Sequence, residues 1–179
     1  MVGRAQSEIG ATFTPELQAF YSVCNGQPSH YDNADAPATF CCLSGMQLLS
    51  LEHMLQCKKV ALQRNNASDV EPHDNTFIDP DNCDWSEGWI PVLASPLTKY
   101  IGFMDTNPQT QHGVPGQIFV VDDSANVSSI VAVGLEDYVN RCHRQLEASR
   151  PDGGVCSWWE LPGIDPRNGE EIAASCLYG

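Results

Sequence analysis

The chain has no run of eighteen apolar residues, the length a helix needs to cross a bilayer, so nothing in it is expected to span a membrane. Its opening residues, MVGRAQSEIGATFT, lack the apolar core of a secretory signal, and a cytoplasmic protein is expected. Basic residues are scarce. Nine Lys and Arg stand against 23 Asp and Glu, a net charge of −14. Nucleic acid phosphates are held by a basic footprint, so nucleic acid is not an expected partner. The acid surplus favours solubility and a basic partner drawn in by electrostatic steering. It is densest from Asp69 to Glu87.

Catalytic and cofactor signatures are missing too. There is no G-x-S-x-G elbow, no P-loop and no G-x-G-x-x-G. The five histidines, at 30, 53, 73, 112 and 143, are scattered. His73, Asp74, Asp79, Asp81 and Asp84 offer oxygen and nitrogen ligands. Asp79-Pro80-Asp81 opens like a calcium loop, but Cys83 and Trp85 break the spacing. Cys142 and His143 are neighbours on a predicted helix and diverge. No metal, cofactor or catalytic residue is expected.

CxxC pairs are also absent, which removes the usual zinc and thioredoxin spacings. The eight cysteines (24, 41, 42, 57, 83, 142, 156 and 176) fall below the roughly 8–10% of a short disulfide scaffold. Cys24, Cys41 and Cys42 sit in apolar runs. Free thiols in a reducing cytoplasm are expected.

What is present is punctuation around apolar runs. Thr14-Pro15-Glu16 opens a helix with a cap, a Pro at its first position and an acid in its first turn. Leu17, Phe20, Tyr21 and Cys24 follow at helical spacing, and Asn25-Gly26 ends it. TFCCLSG reads as a short strand. Leu51, Met54, Leu55, Lys58 and Leu62 predict a helix from about Leu51 to Arg64, with Ser50 as its cap. Residues 65–88 are acidic and aperiodic, an insertion. Four strands come next: GWIPVLAS, KYIGFMD, GQIFVVDD and SSIVAVG. Their short connections favour an antiparallel meander. Leu135, Tyr138, Val139, Cys142 and Leu146 return to helical spacing. After the break at Arg150 to Gly154, Trp158 and Trp159 are expected to pack on the body, with a short helix near Glu170 to Cys176. The class is α+β.

The stretch YIGFMDTNPQTQHGVPGQIFVVDD poses the functional question. Asp105 and His112 on a Gly-rich loop are either a catalytic corner or turn chemistry. Asp105 ends a strand and can accept from the amides of Thr106 and Asn107, an Asx turn. Gly113 and Gly116 permit positive φ, Pro115 fixes φ between them, and Gln117 can cap the next strand. The turn reading is preferred.

The joint order of these segments resembles the Smi1/Knr4 (SUKH) family. FTPELQAFYSVCNGQ is similar to its opening helix, and FCCLSGMQLLSLEHMLQ to its strand and following helix. GWIPVLAS, YIGFMDTNP and GVPGQIFVVDDSANVSSIVAVGLEDYVNRCHRQLE are similar to its later strands, turn and closing helix. The likeness runs from about Thr14 to Glu147. It implies a single α+β domain over 1–150: a mainly antiparallel sheet of about four to six strands flanked by helices. Residues 151–179 would be an extension packed on that domain. The commonest bacterial role in the family is that of an immunity protein, which binds a polymorphic toxin and blocks it. Fungal members resemble regulatory scaffolds of cell-wall synthesis instead. Neither role is catalytic. With the charge of −14, the implied partner is a basic, nuclease-like toxin. Asp79, Asp81, Asp84 and Glu87 around Trp85 make the candidate contact, an aromatic anchor ringed by charge.

Overall fold

The computed structural model describes residues 2–27, 46–65, 88–95, 100–108, 113–121, 127–147, 163–164 and 171–172. Helix α1 (Val2–Ile9) comes first, where no helix was expected. Ala5 and Ile9 are one helical turn apart and both are buried. Helix α2 (Pro15–Val23) begins as its sequence dictates. Thr14 caps it, its hydroxyl accepting from the Leu17 amide at 3.2 Å, and Pro15 takes a position where no N–H is needed. Replacing Thr14 by Ala is expected to cost about 1 kcal/mol, read as a lower urea midpoint at unchanged slope. Leu17 and Tyr21 are buried, and the Tyr21 hydroxyl donates to the Leu49 carbonyl at 2.5 Å. Cys24 lies past the helix end and is exposed, contrary to its apolar reading.

Strand β1 (Gln47–Leu48) is shorter than any the sequence suggested. The expected strand TFCCLSG lies outside the described residues. Helix α3 (Leu51–Asn65) begins at the predicted place. Ser50 caps it through the His53 amide at 3.2 Å. Leu51, Met54 and Cys57 face the core. Lys58 donates to the Ile9 carbonyl at the negative end of α1, where a cation is favoured.

The meander follows as β2 (Trp89–Ala94), β3 (Ile101–Asp105), β4 (Ile118–Val121) and β5 (Val127–Ala132). Sheet order is β1-β2-β3-β4-β5, antiparallel throughout, so every neighbour in space is the neighbour in sequence. Helix α4 (Leu135–Glu147) closes the domain. Its start is held from another element: the Glu16 carboxylate of α2 accepts the Glu136 amide. Asp137 accepts from Val133 at 3.1 Å. Leu135, Tyr138 and Cys142 are buried, whereas Val139, placed on the apolar face by spacing, is exposed. Two short strands, β6 (Gly163–Ile164) and β7 (Glu171–Ile172), form a separate antiparallel pair. Glu171–Ile172 is thus strand where a helix near Glu170 to Cys176 was expected. Trp158 and Trp159 lie outside the described residues.

The architecture is α+β: the described residues form four helices and a five-stranded antiparallel sheet around an apolar core. No helix among the described residues is long and apolar enough to cross a membrane. Cys24, Cys57 and Cys142 are free thiols.

Candidate functional site

The corner between β3 and β4 shows the place of Asp105 in that loop. Asp105 ends β3 and is only 2% exposed. Its amide donates to the Gln117 carbonyl at 2.9 Å, and its carbonyl accepts from Gly116 at 2.6 Å. The loop therefore closes on Asp105. Its carboxylate accepts from the Asn107 amide at 3.0 Å, the predicted Asx turn, and from the Trp89 indole. Burial pushes its pKa up to about 6, and these two hydrogen bonds hold it back from rising further. Thr106 ties the corner to the start of β2 by donating its amide and hydroxyl to the Gly88 carbonyl, at 2.9 and 2.8 Å.

Gly116 takes a φ of 95°, a conformation that other residues rarely reach. Gln117 is fully buried. Its side chain reaches back to the Val114 amide at 3.0 Å, and its own amide donates to the Val114 carbonyl at 3.0 Å. It closes the turn rather than capping the strand ahead. Neither an indole nor a backbone amide ionises near neutral pH, and the described contacts of Asp105 hold a turn. His112 lies outside the described residues.

The remaining candidates divide in the same way. Cys142 is buried and His143 exposed, so the two diverge as expected. His53 is engaged with the Ser50 hydroxyl at 3.0 Å. No group of His, Cys, Asp or Glu that could hold a metal occurs among the described residues. Asp79, Asp81, Asp84, Trp85 and Glu87 lie outside the described residues, as do His73 and Asp74.

Charge separates the framework from the rest. Among the side chains described, Glu8, Glu16, Glu52, Asp105, Glu136 and Asp137 face Arg4, Lys58, Lys59, Arg141 and Arg144. Six acids against five bases leave the framework close to neutral. Residues 66–87 alone carry seven acids and no Lys or Arg, half of the net −14. They join the framework at Gly88, beside the Asp105 corner.

The arrangement of capped helices, five-strand meander and closing helix is matched by a known family. The model of the SMI1/KNR4 family (SUKH-1) matches residues 2–141. The chain belongs to this family. The match begins at α1, earlier than the resemblance read from Thr14, and ends within α4. None of the curated proteins compared with the chain matches it. The SUKH-1 match spans the whole meander and all four helix starts, so the Asp105 corner lies inside the family framework. Residues 142–179 lie beyond it.

Proposed function

We propose that this SUKH-1 protein is an immunity protein, which binds a cognate toxin in the cytoplasm and blocks it by occlusion rather than by catalysis. The observation that carries the reading is the separation of charge: a near-neutral framework joined to a segment holding half of the negative charge. Such a charge distribution fits a basic toxin domain, above all a nuclease whose own surface is built to hold phosphates. Trp85 is the anchor, and Asp79, Asp81, Asp84 and Glu87 are the charges around it.

Gel filtration of the chain with a candidate toxin domain from a neighbouring gene tests the binding. The expected result is a stable complex that weakens as salt rises. Changing the four acids together (Asp79→Asn, Asp81→Asn, Asp84→Asn and Glu87→Gln) is expected to raise Kd about tenfold or more, largely through slower association. A complex with unchanged affinity in that variant would move the contact elsewhere on the surface. Failure of the two to associate would leave the regulatory role of the fungal members as the better reading.

A further inference from the structure

A sheet edge is a row of unpaired backbone donors and acceptors, a template on which a strand of another chain can add. The β1 edge is closed. Gln27 meets Leu48 there with its amide at 2.9 Å and its side chain at 2.8 Å. Among the described residues, β5 is the strand at the other edge. Its sequence, VSSIVA, holds neither a charged residue nor a Pro, which commonly blunt an exposed edge. Val127, Ile130 and Val131 are β-branched and suit strand pairing.

Two features of the backbone oppose such pairing. The register between β4 and β5 slips twice. Val121 pairs with Val127 and Val120 with Ser129, then Phe119 with Ile130 and Ile118 with Ala132. Ser128 and Val131 are therefore the extra residues of two bulges, which bend and twist the strand. The second feature is β6, whose Cα atoms come within 8 Å of those of β5. Stacked sheets lie about 10 Å apart and neighbouring strands about 5 Å, so β6 lies beside β5 and not over it.

Strand β6 pairs with β7, Gly163 with Ile172 and Ile164 with Glu171. Each strand is two residues long, and so small a two-stranded unit is marginal by itself. Its hold on the domain comes through the β5 edge. Both strands lie beyond the SUKH-1 match, whereas β5 lies within it.

We propose that the β6–β7 pair is a displaceable guard on the β5 edge, and that the partner of the uncovered edge is β5 of a second copy of this chain. Two antiparallel β5 edges related by a twofold axis satisfy each other and stop at a dimer. A basic partner finds no charge on VSSIVA to bind, whereas a second copy brings a matching β-branched run. The guarded chain is monomeric. Two copies of charge −14 repel, so the unguarded dimer strengthens with salt. This inference does not rest on the immunity role.

The test uses the full chain carrying Ile164→Pro, which removes a strand amide from β6. Sedimentation velocity at about 0.3 M salt, where the repulsion is screened, is expected to show a monomer for the unmodified chain and a dimer for the variant, with self-association about tenfold or more stronger. Hydrogen exchange locates the contact. Residues 127–132 are expected to exchange faster in the dilute variant than in the unmodified chain, and more slowly again once the variant dimerises. A variant that stays monomeric, exchange of 127–132 that the variant does not change, or an unmodified chain that already dimerises through 127–132 would each overturn the proposal. The unmodified chain decides alone where the substitution unfolds the domain. Its amides at 163–164 are expected to exchange about tenfold or more slowly than in a free peptide. Free-peptide rates there would show that no guard is seated on β5.

Discussion

Gly26→Ala is expected to lower the folding stability by about 3 kcal/mol or more. Gly26 sits at a φ of 75°, where a Cβ costs about 1–2 kcal/mol by itself. A Cβ built there would lie 2.3 Å from the Leu49 carbonyl oxygen, and the atom in the way is backbone, which cannot swing aside. The neighbours of Gly26 make retreat costly. The Asn25 side chain accepts from the Leu51 amide at 2.9 Å and donates to Glu52 at 3.0 Å, so it helps start α3. Gln27 pairs with Leu48 through main chain and side chain, at 2.9 and 2.8 Å, and covers the outer edge of β1. Three consecutive residues thus staple the end of α2 to β1 and α3, and each hydrogen bond lost adds about 1 kcal/mol. Urea denaturation of the variant measures the loss. A change below 1 kcal/mol would mean that the staple yields easily.

The second large effect is a dependence on pH centred on Asp105. Its pKa is raised from 3.8 to about 6 because burial disfavours the charged form. A raised folded-state pKa means that the native chain holds its proton more tightly than the unfolded chain. The corresponding stability is fully present below about pH 4 and is lost as pH rises through about 6. The difference in unfolding free energy between the native chain and Asp105→Asn should therefore fall by about 2.4 kcal/mol from pH 4 to pH 7. Taking the difference removes the other carboxylates, including Glu52, whose pKa is lowered chiefly by its hydrogen bond with Asn25. A difference independent of pH would show Asp105 to be as well solvated as a surface acid.

Much of this fold was legible because its periods are clean. The strands β2 to β5 and the helices α2, α3 and α4 announced themselves through apolar spacing bounded by Pro, Gly and Asn. Helix α1 was missed because only Val2, Ala5 and Ile9 carry its pattern, over barely two turns. Strand β1 was hidden in Met46-Gln47-Leu48-Leu49, all buried, where no alternation exists to read. Asn25-Gly26 was readable as a helix stop. That the Asn25 amide caps a helix 26 residues onward was not, because such a contact depends on how α2 and α3 are folded together. The Asx turn at Asp105 was legible, but its burial was not, since the same local signal serves surface turns. Glu171–Ile172 defeated the helical expectation because two residues paired to Gly163–Ile164 outweigh local propensity. The acidic segment was visible as composition alone.

Rescue in living bacteria tests the proposed immunity role most directly. A candidate toxin domain from a neighbouring gene is expressed alone, with the chain, and with the four-acid variant. The expected result is killing by the toxin alone, full growth with the chain, and growth reduced with the variant. Killing that persists undiminished when the chain is abundant and folded would contradict the immunity role itself.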